Sequence, residues 1–409
     1  MAEPLRISVI VVSSGRAAAL CRCLTAVAQM PHPALELVVV ADEDGLAAIT
    51  RLPFHGDIVQ VAQTGPNIST ARNDGIAAAS GEVLAFIDDD AVPEPSWAGA
   101  LAEVFADPGV MAATGPVLGR NGISLQWGRM AVNRFGQDRW LEDGSALASG
   151  EVLKLHGTNM AIRRAALDQV GGFDRAFAFY LDDTDMALRL GGRAGAVRYL
   201  SDAVVLHGFA ASVRRREDRV PLSLFDVGAS TAVFLRKYAP VVDHPTHLRA
   251  LEAAQQARLL RFARKRKLGV RDMRRVMESL MEGLHAGAER PFDDTALPER
   301  SQRSFQTLTR AVQHPMQVLS GWRHQGPRLR QAAADLLAEA YPVTLFLFDP
   351  TPRKHKVRFT EGGWWEQTGG LYGSSDRSGA RFQPWRFSGR VAAECRRVAR
   401  LRGFRSIQE

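Results

Sequence analysis

The sequence predicts an α/β fold: a mostly parallel sheet flanked by helices in the first 210 residues, then a mainly helical, basic extension that ends in a small strand-containing region. Three observations support this prediction. Short apolar runs rich in β-branched residues alternate with helical patterns, which is typical of βαβ units. The runs are apolar at nearly every position, which indicates a sheet covered on both faces. After about residue 212, helical spacing replaces the strand pattern.

Hydrophobic periodicity defines the elements of the first half. Strands are predicted at residues 6–12, 36–40, 57–62, 83–87, 110–114 and 199–207, and helices at residues 17–29, 69–80, 97–106, 163–170 and 183–190. Residues 118–150 show no clear period, so we expect a long loop or short irregular elements over a site. Ligands of such sheets bind beyond the carboxyl ends of the strands.

The second half has a different pattern. Helical spacing predicts helices at residues 222–235, 248–262 and 273–284, and residues 291–301 have the composition of a linker. Strands are predicted at residues 343–348 and 356–359, with a glycine-rich loop over residues 362–375. We therefore expect a first domain over residues 1–240 and a C-terminal region over residues 241–409, with a separate small domain from about residue 300.

Charge divides the chain into an acidic and a basic part. The net charge is +8, but residues 1–210 contain 16 Lys and Arg against 24 Asp and Glu, whereas residues 211–409 contain 36 against 20. A basic region suits an anionic membrane, an acidic polymer or the acidic half of the same chain. The three cysteines lack metal-binding spacing, no run of 18 apolar residues occurs, and the first residues lack the features of a signal peptide. We therefore expect reduced thiols and a cytoplasmic protein.

The segment LAFIDDDAVPEP ends a predicted buried strand in three aspartates, Asp88, Asp89 and Asp90. Adjacent carboxylates repel one another, so a fold retains them only where cations compensate their charge. Asp88 and Asp90 point the same way on an extended segment, and carboxylate oxygens suit Mg²⁺ or Mn²⁺ beside a phosphate. A solvated acidic turn before Pro93 fits the sequence as well.

Two further polar residues lie near predicted element ends. Asp42 follows the second strand, where it could accept a hydrogen bond from a base or cap a turn. Arg72, in a predicted helix, could reach a phosphate, hold a neighbouring carboxylate or lie at the surface. The sequence alone leaves these alternatives open.

Six segments of the first 210 residues together resemble a family 2 glycosyltransferase with the GT-A fold. They are RISVIVVSS, VVVADEDG, ISTARNDGIAAASGEVLAFIDDDAVPEP, GTNMAIRRAALDQVGGFD, FYLDDTDMALRL and AVVLHG, and their order and approximate spacing agree with that family. The resemblance covers about half of the chain and does not extend beyond about residue 240. It implies a GT-A-like, Rossmann-type sheet, a nucleotide-diphosphate sugar as donor, usually UDP-linked, and a divalent metal, Mn²⁺ or Mg²⁺.

The resemblance also implies roles for individual residues by position. Asp42 would contact the nucleotide base, Asp88 would lie on the ribose side with Asp89 in the same donor site, and Asp90 would bind the metal. His207, at the end of a later strand, would complete the metal or diphosphate site; a structural histidine is the alternative.

Other roles follow from the remaining segments. Arg72 would belong to the donor site, and Asn159 and Arg163 of GTNMAIRR would line the sugar and acceptor side, with a surface helix position as the alternative for Arg163. In LDDTD the second acid aligns with the family's general base, so Asp183 is the candidate base. Asp182 stands where the family usually has Glu, and it also suits a helix cap.

Two departures from the family concern the donor. The turn after the first strand reads VVSSGR, in which Ser13 replaces the usual residues, and VVADEDG replaces the commoner Asp-Asp-Gly-Ser. The reaction class is therefore defined more sharply than the donor.

The basic second half predicts either an anionic-membrane contact through residues 248–267 or a solvated helix face. Trp322, Trp364, Trp365 and Trp385 fit either sugar-stacking platforms or a core. No helix-turn-helix, zinc-finger or RNP signature occurs, so nucleic acid is not a predicted partner.

The resulting prediction is a metal-dependent, inverting glycosyltransferase. It would move a sugar from a nucleotide-diphosphate sugar to a saccharide or lipid-linked acceptor in cell-surface polysaccharide synthesis, in the cytoplasm or at the inner face of the membrane. One alternative is a sugar nucleotidyltransferase, but VVSSGRAAA lacks the GxGTR-type loop of that class. The other is a non-catalytic sugar- or membrane-surface-binding protein, against which the acids at residues 88–90 and 183 argue.

Overall fold

The computed structural model describes residues 3–191, 197–208 and 211–403. Its α-helices are α1 (Ala17–Ala28), α2 (Glu43–Ile49), α3 (Ile68–Ala78), α4 (Trp97–Val104), α5 (Arg164–Val170), α6 (Asp182–Gly191), α7 (Phe225–Tyr238), α8 (His244–Arg264), α9 (Val270–Glu289), α10 (Gly326–Ala338) and α11 (Phe387–Arg402). Its strands are β1 (Ile7–Ser13), β2 (Leu35–Ala41), β3 (Ile58–Ala62), β4 (Val83–Asp88), β5 (Ala91–Pro93), β6 (Ala112–Thr114), β7 (Val117–Leu118), β8 (Leu125–Trp127), β9 (Met130–Asn133), β10 (Asp138–Trp140), β11 (Glu151–Leu153), β12 (Met160–Arg163), β13 (Val197–Tyr199), β14 (Val205–His207), β15 (Gln317–Trp322), β16 (Val343–Asp349), β17 (Lys356–Phe359) and β18 (Trp365–Gly370).

The central sheet has seven strands in the order β13-β6-β12-β4-β1-β2-β3. Strands β1 to β4 are mutually parallel where they pair, β13 is parallel to β6, and β12 runs antiparallel between β4 and β6. Apolar side chains cover both faces, with α1 and α4 on one core and α3, α5 and α6 on the other. The predicted mostly parallel sheet flanked by helices is confirmed.

Helix α3 shows how local sequence positions side chains at the edge of this sheet. Asn67 caps its first turn by accepting a hydrogen bond from the Thr70 N–H at 3.0 Å. Gly75 packs on β1, where a Cβ atom would lie 2.6 Å from Cγ2 of Ile10, so glycine lets the helix approach the strand this closely. The same helix carries Arg72 to the carboxyl end of β4.

Two segments of the first half differ from the prediction. Residues 199–207, predicted as one strand, contain the end of β13 in the central sheet and then β14 in a second sheet of order β5-β14-β7-β8. The polar pair Ser201 and Asp202 interrupts the apolar run, and a turn closes with the Ala203 N–H donating to the Leu200 carbonyl. Residues 118–150 are more regular than expected, since they contain β8, β9 and β10 of two small sheets.

The helical part of the C-terminal half is built on a close crossing of α7 and α9. A Cβ atom on Gly283 would lie 2.0 Å from the Phe225 carbonyl oxygen, and one on Gly287 would lie 2.2 Å from that of Ala229. The predicted helical extension is confirmed, whereas the boundary near residue 240 remains a prediction. None of the helices in the described ranges is both long and apolar enough to cross a bilayer.

Strands β15 to β18 form a sheet of order β15-β16-β18-β17, with β15, β16 and β18 parallel and β17 antiparallel. Residues 362–375, predicted as a glycine-rich loop, instead contain the interior strand β18. Its glycines permit close packing, because a Cβ atom on Gly370 would lie 1.9 Å from the Thr351 carbonyl oxygen. Trp365 of this strand is buried in a core rather than exposed as a sugar platform.

Buried polar contacts attach the C-terminal elements to the first half. Arg402, at the end of α11, pairs with Glu94 through two oxygens at 2.9 and 3.0 Å. The predicted linker contains no helix or strand, and the chain from residue 294 to residue 311 runs across the first half. Its backbone bonds to that half include Leu308 N–H to the Leu35 carbonyl at 2.7 Å.

Glu36 of β2 is the main anchor of this crossing segment. It is fully buried, and its carboxylate accepts hydrogen bonds from Ser8 Oγ at 2.6 Å and the Ser80 N–H at 2.7 Å. From the crossing segment it accepts from Arg303 Nη2 at 2.6 Å and from the Gln306 N–H at 3.2 Å. Because four donors converge on one buried anion, its charge is essential to the contact.

We expect Glu36→Gln to lower the free energy of unfolding by about 3 kcal/mol, because it leaves the Arg303 guanidinium and several donors without their anion. Urea unfolding followed by circular dichroism measures this change. Glu82→Gln is the matched control: Glu82 pairs with Arg6 at the surface, where both side chains are 52% exposed, and its loss should cost less than about 1 kcal/mol. Equal losses in the two variants would contradict the role of Glu36.

Candidate active site

The three aspartates lie at the carboxyl edge of the central sheet, where β4 ends. Strand β14 pairs antiparallel with β5, and the register sets His207 opposite Ala91. Ligand atoms of Asp88, Asp90 and His207 consequently lie within 4.8 Å of one another, with His207 Nε2 3.2 Å from Asp90 Oδ1. The structure thus brings His207 to Asp88 and Asp90, which precede it by more than one hundred residues in the sequence.

Strand β8 orients the His207 ring. Its Nδ1 lies 3.3 Å from Gln126 Oε1, an acceptor for a proton on Nδ1, and its Nε2 lies 3.2 Å from Asp90 Oδ1. The Trp127 indole stacks on His207 with ring centroids 5.7 Å apart and on His156 with centroids 5.8 Å apart. No sequence pattern pointed to Gln126 or Trp127, because they lie in the segment without a clear period.

Asp89 points away from this group and into the protein. It accepts a hydrogen bond from Ser13 Oγ at 2.6 Å and pairs with Arg16 Nη2 at 2.8 Å. Burial raises the pKa of Asp89 to about 7, although the charge of Arg16 and the Ser13 hydrogen bond oppose the rise. The structure therefore places Ser13 and Asp89 together as an anchor for the turn after β1.

Arginines surround the remaining two aspartates. Asp90 Oδ2 is 3.2 Å from Arg16 Nη1 and 3.7 Å from Arg215 Nη2, and Asp88 Oδ1 is 3.5 Å from Arg72 Nη2. Such neighbours compensate the repulsion between adjacent carboxylates. Arg16 lies in the VVSSGR turn, and Arg215 follows β14; their contact with the aspartates exists only in the folded chain.

The chemistry of this set fits a hard divalent cation. Asp88 and Asp90 supply carboxylate oxygens and His207 supplies a neutral imidazole nitrogen, and a set dominated by oxygen suits Mn²⁺ or Mg²⁺. Three protein ligands leave other coordination positions for phosphate oxygens or water. The hydrogen bond from His207 Nδ1 is the kind of outer contact that orients metal-binding histidines.

The candidate metal-binding set, Asp88, Asp90 and His207, opens onto a cavity of about 640 Å³. Its wall includes Gly15 in the turn after β1, Asp88 and Asp90 at the end of β4, and Arg214 and Arg215 after β14. The volume is within the range of about 300–1,000 Å³ that is typical of small-molecule sites. Both anionic and cationic side chains thus face the same cavity.

A second acidic pair begins helix α6. Asp182 forms a buried ion pair with Arg72, and burial raises the pKa of Asp182 to about 7 against the attraction of that guanidinium. Arg72 Nη2 also donates to the Gly157 carbonyl at 3.0 Å. Asp183 is less buried, and its Oδ2 accepts a hydrogen bond from the Gly157 N–H at 2.8 Å, which fixes the carboxylate. Because Arg72 also contacts Asp88, it links the two acidic groups.

Lys154 is a further cation near Asp183 that the sequence analysis did not identify. Its Nζ lies 2.6 Å from both carboxylate oxygens of Asp138. Burial lowers the pKa of Lys154, but the charges of Asp183 and Asp138 outweigh it, and the net shift is upward. Lys154 lies three residues before the GTNM segment in the sequence. Only the folded structure shows that it lies near Asp138 and Asp183.

Asp42 lies at the carboxyl end of β2 and caps α2. Its Oδ1 accepts from the Gly45 N–H at 3.0 Å, and its Oδ2 accepts from the Gly15 N–H at 2.6 Å. The capping role foreseen as an alternative is therefore present. Through Gly15, Asp42 also holds the turn that lines the cavity.

Asn159 and Arg163 have structural contacts. The buried amide of Asn159 accepts from Trp97 Nε1 and donates to the Ala203 carbonyl, both at 2.8 Å. In the sheet register Arg163 lies opposite Val83, the first residue of β4, and therefore at the other end of that strand from Asp88. Its guanidinium donates to carbonyls of the segment 105–110. Neither side chain is directed at the metal-binding set.

We expect the chain to bind Mn²⁺ and Asp90→Asn to weaken this binding at least about tenfold, because even residues that only orient metal ligands contribute about 10–100-fold. The electron paramagnetic resonance signal of free Mn²⁺ measures the affinity. Asp44→Asn, at an exposed acid of α2, should leave it unchanged. Unaltered Mn²⁺ affinity in Asp90→Asn would contradict the assignment.

Comparisons with known proteins identify relatives of this chain. A family model described as glycosyltransferase like family 2 matches residues 4–219. A pre-mycofactocin glycosyltransferase of Mycobacterium tuberculosis is 29% identical over 182 residues, which cover 42% of this chain and 37% of that protein. The succinoglycan biosynthesis protein ExoM of Rhizobium meliloti is 29% identical over 195 residues, 43% of this chain and 58% of ExoM. The alignments therefore span roughly two fifths to three fifths of these relatives' lengths.

Two solved structures also align with the chain. The S. aureus TarS 1-349 structure is 17% identical, covers 68% of this chain and 92% of its own, and has a TM-score of 0.40. The mannosyltransferase PcManGT of Pyrobaculum calidifontis, in complex with GDP-Man and Mn²⁺, is 17% identical, covers 70% and 88%, and has a TM-score of 0.42.

The family match contains every element that forms the candidate site. It extends from before β1 to beyond Arg215, and so includes Asp42, the aspartates after β4, Asp183 and His207. These residues occur along the chain in the same order as the six segments that resemble the family. The match covers more than half of the chain, and the protein belongs to glycosyltransferase family 2.

Proposed function

We propose that this protein is a metal-dependent, inverting glycosyltransferase that moves a sugar from a nucleoside-diphosphate sugar, most simply a UDP-sugar, to a hydroxyl of a saccharide or lipid-linked acceptor. The observation that carries the proposal is the convergence of Asp88, Asp90 and His207 on one cavity at the carboxyl edge of the sheet. Family membership supports the reaction class. One relative is named glucosyl-dolichyl phosphate glucuronosyltransferase, which supports a lipid-linked acceptor.

In this proposal Asp88, Asp90 and His207 hold Mn²⁺ or Mg²⁺ against the donor's diphosphate. The bound cation would act as a Lewis acid that neutralises charge on the departing nucleoside diphosphate, a contribution of several kcal/mol. Arg214 and Arg215, on the wall of the same cavity, add positive charge for the phosphates. Asp42, at the end of β2, is the proposed acceptor for a base N–H.

Asp183 is the proposed general base. The Gly157 N–H fixes its Oδ2, and the Thr184 hydroxyl lies 3.1 Å from its Oδ1, so the carboxylate has a defined orientation while it is partly exposed. It accepts the proton of the acceptor hydroxyl as that oxygen attacks the anomeric carbon. Attack from the face opposite the diphosphate inverts the anomeric centre. Arg72 positions the neighbouring Asp182 and leaves Asp183 available for the proton.

An anionic membrane surface is a further proposed partner. Helix α8 and the turn that follows it carry the run RFARKRK, and basic residues near such a surface contribute about 1 kcal/mol each. Val241 and Val242, just before α8, are 79% and 82% exposed. A peripheral position at the inner face of the membrane, in cell-surface polysaccharide synthesis, accords with a lipid-linked acceptor.

We expect Asp183→Asn to lower turnover roughly 10²–10⁴-fold, because general base catalysis typically contributes that factor, while UDP binding with Mn²⁺ stays intact. Release of UDP from a panel of UDP-sugars measures turnover, and a thermal shift with UDP and Mn²⁺ measures binding. Asp168→Asn, at an exposed acid of α5, is the matched control.

The outcomes separate the competing functions. A wild-type protein that binds UDP with Mn²⁺ but releases none from any donor would favour a non-catalytic binding protein. Near-normal turnover in Asp183→Asn would contradict the base assignment. Release of pyrophosphate from UTP and a sugar 1-phosphate would instead favour a nucleotidyltransferase.

A further inference from the structure

A second cavity, of about 500 Å³, lies between the first half and the C-terminal sheet. Asp90 and His207 line both this cavity and the larger one, so the two cavities share a wall at the proposed metal site. The opposite wall comes from α10, from β17 and from the turn between β17 and β18. The family match ends at residue 219, so this wall lies outside it.

The charges on the wall of this cavity favour an anion. Its lining contains four arginines and three acids: Arg22, Arg120, Arg330, Arg358, Asp90, Glu361 and Glu366. Glu366 is buried and pairs with Arg330 and Arg358, each at 2.6 Å, so one carboxylate is shared by two guanidinium groups. A cavity with an excess of one charge sign raises the local concentration of ligands of the opposite sign.

The Arg22 guanidinium lines this cavity without an acceptor in the described part of the chain. Arg22, on α1, is half-buried, and its Nη2 would lie 4.0 Å from a Cβ atom placed on Gly208. Within residues 3–191, 197–208 and 211–403, its guanidinium forms no hydrogen bond or ion pair. The Trp364 side chain lines the same cavity, whereas its indole nitrogen is buried.

The environment of Trp364 also suits a sugar. A Cβ atom on Gly362 would lie 2.1 Å from the Trp364 ring, so glycine at this position lets the indole lie against the main chain. Aromatic rings offer flat apolar faces that sugar rings can contact.

We infer that this cavity binds an anionic saccharide, with Arg22 donating to its carboxylate or phosphate group and the Trp364 ring contacting the sugar. Arg330 and Arg358 add positive charge to the same wall. This inference rests on the proposed function. The saccharide is part of the acceptor, and the C-terminal sheet is an acceptor-binding module directly behind the proposed metal site. An uronate and a sugar phosphate share the required chemistry.

The test is isothermal titration calorimetry of the full chain with trigalacturonate, glucose 6-phosphate and neutral maltotriose at low and at moderate salt. We expect at least one anionic probe to bind more tightly than maltotriose, with an affinity that falls as salt rises. Arg22→Gln should weaken that binding at least tenfold, and Trp364→Leu, which removes the ring, should weaken it several-fold. Arg328→Gln, at an exposed arginine of α10, should bind like the wild type.

Unchanged binding in Arg22→Gln, maltotriose binding as tight as that of the anions, or no binding of either anion would overturn the inference. The melting temperatures of all variants confirm that they are folded. UDP binding with Mn²⁺, titrated on the same samples, separates this inference from the proposed function. Loss of the UDP interaction with retained, Arg22-dependent anion binding would overturn the proposed function alone, and the reverse result would overturn the acceptor site alone.

Discussion

Mutual repulsion of the carboxylates at the end of β4 is the constraint on which the rest of the site depends. Three adjacent anions are retained at the edge of a buried strand only because each has a separate compensating contact. Asp89 turns inward to Ser13 and Arg16, Asp88 lies near Arg72, and Asp90 faces His207 with arginines around it. The inward turn of the middle acid leaves the outer two directed at one point.

The same compensation couples elements that are distant in the sequence. Arg72 stands on α3 and contacts Asp88 at the end of β4 and Asp182 at the start of α6, so one guanidinium joins a proposed metal-binding carboxylate to the neighbour of the proposed base. His207 reaches the site because the chain leaves the central sheet after β13 and β14 then pairs with β5 in the second sheet. The C-terminal half is attached through Glu36 and through the Arg402–Glu94 pair, and it forms the far wall of the second cavity behind Asp90.

The features that could be predicted from sequence are those set by local patterns. Strands β1 to β4 and helices α1 and α3 follow from continuous apolar runs and helical spacing. The order of the family motifs pointed to Asp88, Asp90 and His207, which the fold brings together, and to Asp183, whose role stays a prediction. Features that depend on distant contacts could not be predicted. The strand β18 contains glycines that suggest a loop, although they serve close packing. Whether Arg16, Asn159 or Arg163 faces a ligand or a carbonyl depends on neighbours that only the folded chain brings together.

The central claim is that Asp88, Asp90 and His207 hold a divalent cation against a nucleoside diphosphate. Anomalous diffraction from crystals grown with Mn²⁺ and UDP, recorded near the manganese absorption edge, tests it most directly. The account predicts one strong peak within about 2.5 Å of a ligand atom of each of these three residues and in contact with phosphate oxygens. Bound UDP with no anomalous peak at these residues, or with the peak elsewhere in the cavity, would contradict the account.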